Sequence, residues 1–460
     1  MRYFTNIDEK LLSERIVDYS TRFKDDIIRL FKVNNYAGIN RINQLNNSRQ
    51  ARKEYDNYIS IKEIFIRYWD KFKILYKDKP IRKSVHNNIE KMIKCGSFDN
   101  GYKYYECLND GYFHLVPFTC KSRFCPSCSK RYNDLRLNEA YSKLLDVKHR
   151  HMVFSISYKL RPLFRKYRFL IDELFLSVDD TFKYIAKSEA KTIDYRFGFI
   201  STLHTFGRDL KFNPHLHVLC AELLLSDDNH KREYKHFNYS TLRKAFMFFM
   251  LNRIRKSLKN KEKNINALIN EIIHEYDNGF YVYAPPMSTN NRKTTKEVIK
   301  YVLRYSAHPA ISESRITNID YKNDLISYYY DPHEDDHIVN DDEKLGRQYI
   351  SESIYDFIAK IIVHIPDDNK HNTRYYGFYA NKDKTLKKSK YNIIKINRNL
   401  KEYIYQNGIM YKTSSMLNHR DKILKSFGYD ILICPKCGSK MILIKDMCYI
   451  PKERRKESYG

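Results

Sequence analysis

The stretch Phe212-Asn213-Pro214-His215-Leu216-His217-Val218-Leu219 limits the possible folds more than any other part of this chain. Alternate side chains of a strand share a face, so His215 and His217 point one way while Leu216 and Val218 point into a core. Pro214 cannot donate to a sheet ladder, which places it and Asn213 at the strand entrance, near solvent. The apolar character continues to Leu225, so the spacing predicts a strand over 214–225. Two imidazoles on one face of a rigid strand suit a divalent metal. Neighbouring strands are expected over His151–Ser157, Phe197–His204 and Phe280–Ala284. If the strand ending at His204 forms a hairpin with the one beginning at Pro214, His204 becomes a third ligand, with Asp209 as its competitor. A second pair, His149 and His151, flanks the charged Arg150. That charge is expected to leave its strand unanchored on the other face, so the pair reads as surface histidines.

Helical spacing adds the other half of an α+β architecture. Ile61, Ile64, Phe65, Tyr68 and Phe72 recur at helical intervals, and a second helix is expected to end near Cys95 and Gly96. Further helices are expected over Tyr132–Leu145, Ser240–Tyr276, Lys293–Ser306 and Glu352–Ile362, with a hairpin at 316–330 turning at Lys322, Asn323 and Asp324. The helix at 293–306 has Thr294 or Thr295 near its cap and carries Tyr301 and Tyr305 four residues apart, on one face. Both hydroxyls could then reach one site, with Arg304 beside them to hold a phosphate. A tyrosine hydroxyl can attack a phosphodiester and form a covalent link. With 40 tyrosines in the chain, spacing alone favours ordinary packing for such a pair. Tyr375 and Tyr379 are also four apart, but Gly377 between them belongs to a strand-like run.

Lys plus Arg is 83 against 55 for Asp plus Glu, and the net charge of +28 suits a polyanion, nucleic acid before an acidic membrane surface. The first residues have no apolar signal core, and the longest apolar run, near Ala245–Leu251, is far short of a membrane span. The expected location is the cytoplasm, where nine cysteines argue for metal binding over disulfides. Cys107, Cys120, Cys125 and Cys128 are the expected ligands of a structural zinc, with Cys95 and Asp110 as alternates for the fourth place. Lys121 and Arg123 beside them suit phosphate contact. Cys434 and Cys437 form a second knuckle with only Cys448 nearby, and read as a partial or shared zinc site or as a remnant.

The order of these motifs resembles the IS-ninety-one (IS91) family of insertion-sequence transposases: cysteine knuckles, then Asn213-Pro214-His215-Leu216-His217, then Tyr301 and Tyr305. The segments Phe118–Cys125, His149–Phe154, His204–Leu210 and Tyr301–Ile316 carry the same resemblance, which runs from about residue 61 to the end. It implies an HUH endonuclease-like antiparallel sheet flanked by helices, preceded by helices and a small zinc-binding module. It implies His215 and His217 as ligands of an active-site Mg or Mn, Tyr301 and Tyr305 as nucleophiles, and rolling-circle-like transposition of single-stranded DNA. The expected organisation is a helical extension at 1–60, a zinc-binding domain at 61–145, a nuclease domain at 146–350 and a basic region with a Cys-x2-Cys knuckle at 351–460. DNA is the expected partner, mainly single-stranded transposon ends and target. No membrane and no small-molecule substrate are expected, and the location is a bacterial cytoplasm in association with the nucleoid. Asp110 stands where the family often has a second cysteine of a pair. A plasmid replication initiator or relaxase would share the chemistry, and a non-catalytic zinc protein would share the charge and the cysteines but have no need of the histidine and tyrosine pairs.

Overall fold

The computed structural model describes residues 60–97, 101–122, 124–126, 128–129, 144–145, 147–190, 192–226, 230–285, 310–331, 346–380, 420 and 430–447. The helix expected at 293–306 with Tyr301, Arg304 and Tyr305 lies outside the described residues, as do residues 1–59, Arg123, most of 132–145, Cys448 and most of the tail beyond 381. The chain divides into two compact units, one formed by Met1–Arg131, Ser312–Tyr328 and Leu417–Gly460, the other by Tyr132–Ile311 and Tyr329–Met416. No helix among the described residues is long and apolar enough to cross a membrane.

In the first unit, helix α1 (Ile61–Leu75) buries Ile61, Ile64, Phe65, Tyr68, Trp69 and Phe72, the stripe its periodicity predicts. Helix α2 (Lys83–Ile93) buries Val85, Ile89 and Met92 and ends directly at the Lys94-Cys95-Gly96 turn. Two strands then follow, β1 (Tyr102–Cys107) and β2 (Phe113–Pro117), in a stretch that the sequence alone suggests only as turn-like gaps between cysteines. They pair antiparallel, and β12 (Met441–Met447) from the far end of the chain adds to the other side of β1. Strands β8 (Ile316–Asp320) and β9 (Leu325–Tyr330) form the expected hairpin, with Asp324 in the left-handed region at the turn.

The second unit is built on an antiparallel sheet. Its strands are β3 (His149–Ser155), β4 (Arg196–Phe206), β5 (Phe212–Leu225), β7 (Val282–Tyr283) and β11 (Thr373–Gly377), in the order β11-β4-β5-β3-β7. A short β6 (Lys231–Glu233) pairs with the far end of β5. The histidine-bearing strand is thus the central one, and it begins two residues earlier than the sequence suggests. One face of the sheet buries Leu216, Val218 and Cys220 of β5 with Phe199 and Leu203 of β4 and Met152 and Phe154 of β3. Two helices supply side chains to the same core, α4 (Leu170–Glu189) with Leu174, Phe175, Val178 and Phe182, and α5 (Tyr239–Leu258) with Leu242, Phe246, Met250 and Ile254. Each such side chain taken from water contributes about 1.5–3 kcal/mol, so this core positions β5 firmly. Arg253 of α5 bridges to Asp180 at 2.6 Å and Glu173 at 2.9 Å on α4. The long helical stretch expected over 240–276 is two helices, α5 and α6 (Ile265–Glu275). The polar run Lys259–Asn264 has no apolar side chain to bury, and the chain turns there.

On the opposite face Ile200, Leu219, Ala221, Leu223 and Leu225 pack with Leu144, Leu145, Phe378 and Tyr379. Glycine is required at two adjoining places. A Cβ on Gly377, which has φ +55°, would lie 1.6 Å from the Phe197 carbonyl oxygen, and one on Gly198 would lie 2.1 Å from the Phe378 ring. Tyr379 closes this layer: its hydroxyl accepts the Leu145 N–H at 3.2 Å and meets His149 Nε2 at 2.8 Å.

Candidate functional site

The site lies on the second face of the sheet, at the Pro214 end of β5. His215 and His217 sit on one face of that strand, and the register puts His204 of β4 directly opposite His215. The hairpin between β4 and β5 therefore supplies the third imidazole, and the ligand-capable nitrogens of all three lie within 4.8 Å of one another. Asp209 is not part of this cluster: its carboxylate accepts the Lys211 N–H at 3.1 Å inside the hairpin loop. The His215 Nδ1–H donates to the Asn213 carbonyl at 2.7 Å, so its Nε2 keeps a lone pair turned toward His217 Nε2, 3.2 Å away. His217 Nδ1 is in turn 2.9 Å from His151 Nε2, with the two rings stacked. Carbonyl and imidazole partners on the outer nitrogens fix ring orientation and make the inner nitrogens better donors, the usual support behind metal-binding histidines.

Burial lowers the pKa of His215, and the charge of Arg161 pushes it the same way; burial, then His204, His215 and His151, hold His217 well below the usual histidine range. Neutral rings with converging lone pairs are what a divalent cation needs. Arg161 opens helix α3 (Arg161–Lys166). Its Nε and the Asn213 Oδ1 are buried without a hydrogen-bond partner among the described residues. A buried polar atom left in this way costs free energy unless a ligand satisfies it.

His151 is the residue the sequence reading missed. The pair His149 and His151 does not lie on the surface: His149 is buried, and Arg150 is anchored where it was expected to disrupt. Arg150 pairs with Glu222 at 2.6 Å, both being buried, and donates to the Lys235 carbonyl at 2.7 Å. The signal that could have found this is Glu222 itself: a lone acid inside the apolar run Leu219–Leu225 calls for a buried partner of opposite charge on a neighbouring strand.

In the first unit Cys95, Cys120, Cys125 and Cys128 bring their sulfurs within 4.8 Å of one another. Three of the four expected zinc thiolates are thus together, but Cys95, one of the alternates, takes the place of Cys107. The reason is local: the Gly96 N–H bonds the Phe118 carbonyl at 3.2 Å, which draws the end of α2 to the Cys120 loop, while Cys107 is carried away at the tip of the β1-β2 hairpin. The Cys120 N–H points at Cys95 Sγ (3.3 Å) and the Ser122 N–H at Cys120 Sγ (3.4 Å), and such donors stabilise thiolates. Hydrogen bonds from Cys120 and Cys125 draw Cys95 down to about 7. Four sulfurs at this spacing fit a tetrahedral zinc. Lys121 adjoins them in a left-handed backbone conformation.

Two family models match, one described as "Transposase zinc-binding domain" over residues 64–156 and one as "Putative transposase" over residues 198–387. The chain belongs to the IS91 family of insertion-sequence transposases. It is similar to the "Transposase for insertion sequence element IS801" of Pseudomonas savastanoi pv. phaseolicola, with 27% identity over 305 residues, 64% of this chain and 70% of the relative. It is also similar to "Putative transposase y4qJ" of Sinorhizobium fredii, with 22% identity over 293 residues, 60% of this chain and 69% of that one. No solved structure matches. The cysteine cluster of this transposase falls inside the zinc-binding match, and the histidine hairpin inside the other.

Two buried histidines of the transposase outside the cluster contribute to its acid response. His149 and His364 are both lowered to about 4 by burial. Both are neutral when folded, whereas in the unfolded chain each takes a proton once the pH falls below about 6.5. Stability is therefore full above pH 6.5 and falls between 6.5 and 4, by about 1.4 kcal/mol per pH unit for each ring. A urea titration at pH 7 and pH 5 is expected to show the midpoint drop by the equivalent of a few kcal/mol. An unchanged midpoint would mean that these rings are solvated.

Proposed function

We propose that this transposase nicks and joins single-stranded DNA at transposon ends through a covalent tyrosine–5′-phosphate link, in rolling-circle-like transposition. The observation that carries this reading is the cluster of His204, His215 and His217 on the central hairpin, with its outer nitrogens already held by Asn213 and His151. These three imidazoles would hold the active-site Mg or Mn. When bound, that ion would withdraw charge from a non-bridging oxygen of the scissile phosphate. The buried Arg161 Nε beside His215 suits a second phosphate oxygen.

Tyr301 or Tyr305 attacks the phosphorus. A bond forms from the phenolic oxygen to phosphorus, the bond to the 3′ oxygen breaks, and the proton lost by the phenol is matched by the one gained on the leaving 3′ hydroxyl. The link keeps the energy of the phosphodiester, so a 3′ hydroxyl can reverse it, whereas water would dissipate it. With two nucleophiles, one holds the first cut end while the other cuts again. Arg304 holds a phosphate between them, and Lys121 and Arg123 contact the backbone beside the structural zinc. The net charge of +28 favours such contacts. In this reading residues 1–60 are an extension, 61–145 bind zinc, 146–350 carry the nuclease and 351–460 supply a basic region.

The test is a single-stranded transposon-end substrate with Mg or Mn, run on a denaturing gel. A covalent protein–DNA band is expected, with Tyr301→Phe and Tyr305→Phe each blocking strand transfer and the double variant giving no band. A band that persists in the double variant places the nucleophile elsewhere. Tyr379 is then a poor substitute, since burial raises its pKa and its hydroxyl is engaged by Leu145 and His149.

A further inference from the structure

We propose that Cys107, Asp110, Cys434 and Cys437 form a second zinc site, a Cys3Asp centre that fastens the carboxy-terminal segment to the β1-β2 hairpin. The four ligand atoms, drawn from positions more than 300 residues apart, lie within 4.8 Å of one another. Cys107 Sγ is 3.5 Å from Cys437 Sγ, and Cys434 Sγ is 3.4 Å from Asp110 Oδ2. Ligands about 2.3 Å from a tetrahedral zinc stand roughly 3.7 Å apart, so these spacings already match.

The backbone makes the stronger case. The segments Cys107–Gly111 and Cys434–Gly438 are the same turn made twice. In each, the glycine four residues on is left-handed, with φ +64° at Gly111 and +72° at Gly438. Each glycine N–H returns to the first cysteine carbonyl, at 2.8 Å for Gly111 and 2.9 Å for Gly438. Each first cysteine N–H bonds the carbonyl five residues on, Tyr112 at 2.7 Å and Ser439 at 2.8 Å. Two such knuckles facing each other are how short cysteine loops grip zinc from two sides. The first knuckle carries Asp110 where the second carries Cys437, and the Tyr112 N–H holds the Asp110 carboxylate in place at 2.8 Å. Three thiolates and one carboxylate give the same total charge as four thiolates, so the aspartate keeps the charge balance of a four-cysteine site.

The packing supplies the reason for a metal here. Among the described residues, the core under the site buries Tyr105, Cys107, Val116, Ile431, Cys434 and Met441. That is too small to hold β12 on β1 across so long a loop without a staple. Without a cation, the Asp110 carboxylate would face three sulfurs with nothing to offset the repulsion of any that ionise.

The experiment uses the full chain purified under reducing conditions, with zinc measured by elemental analysis and sites counted by cobalt titration. Two thiolate-bound zinc per chain are expected, apart from any metal on the histidine cluster. The double variant Cys434→Ser/Cys437→Ser is expected to keep one, and Asp110→Cys to keep two. Asp110→Ala should raise the dissociation constant of this site by at least the ~10–100-fold that loss of even an outer-shell partner causes. In cobalt-loaded protein, Asp110→Cys should strengthen the sulfur-to-cobalt charge-transfer band, which a merely structural aspartate would not do. Should the serine variant fail to fold, the cobalt titration of the unaltered chain still decides when read by the sulfur-to-cobalt charge-transfer band, to which the histidine cluster cannot contribute: saturation of that band at two equivalents supports the site. Saturation of that band at one equivalent, or a Cys107–Cys437 disulfide found by thiol counting in place of metal, overturns it.

Discussion

His217→Ala is expected to slow single-strand cleavage by at least about a thousandfold, while DNA affinity changes little. His217 is the hub of the cluster: its Nε2 faces His215 Nε2 at 3.2 Å and its Nδ1 meets His151 at 2.9 Å. Its removal would take away one ligand of the proposed metal centre and free the ring behind it. His215→Ala should match it, since the ring anchored on the Asn213 carbonyl is lost. His151→Ala removes only an outer partner, so a smaller loss, about 10–100-fold, is expected, partly recovered at high Mn. Affinity should persist because it comes from the dispersed positive charge, and it should weaken with salt in all variants alike. Single-turnover cleavage with Mg and with Mn, alongside fluorescence anisotropy of the same oligonucleotide, measures both quantities. If His217→Ala cuts at the unaltered rate, the histidine cluster is not the metal centre.

Cys128→Ser is expected to undo the amino-terminal zinc module. Cys128 Sγ lies 3.5 Å from both Cys95 and Cys120, so its loss opens the cluster on two sides. Zinc bound by such a cluster supplies folding free energy directly, on the order of 10 kcal/mol at neutral pH, more than a small unit can replace from packing. Hydrogen exchange should show the amides near Cys95 and Cys120–Cys128 exchanging freely. The β3-β4-β5 sheet should stay protected, because its core of Leu216, Val218, Phe154 and Phe246 contains none of these cysteines. A chelator added to the unaltered chain should reproduce the pattern. Unchanged zinc content and unchanged exchange in Cys128→Ser would remove the structural role assigned to the cluster.

Local pattern was enough to determine the elements whose side chains alternate or recur against a single neighbour. The octet at 212–219 specified its own strand and the shared face of His215 and His217, because a period of two leaves no other arrangement once Leu216 and Val218 are buried. The stripe of α1 and the hairpin turning at Lys322–Asp324 were legible for the same reason. Strands β1 and β2 were not, since their alternation is short and the cysteines there answer to metal geometry instead. Helix α4, absent from the expected elements, does carry a helical stripe in Leu174, Phe175, Val178 and Phe182, and the break between α5 and α6 depended on where apolar burial stops. What only the tertiary structure decided is partnership across long sequence distance. Cys95 replaces Cys107 because one hydrogen bond folds α2 onto the Cys120 loop. Cys107 finds Cys434 and Cys437 because β12 returns to β1. Arg150 is anchored and His151 backs His217 because β3 lies beside β5 in one register. A sequence fixes which way a side chain points from its own backbone; which distant side chain it meets is set by the register and closure of the whole sheet.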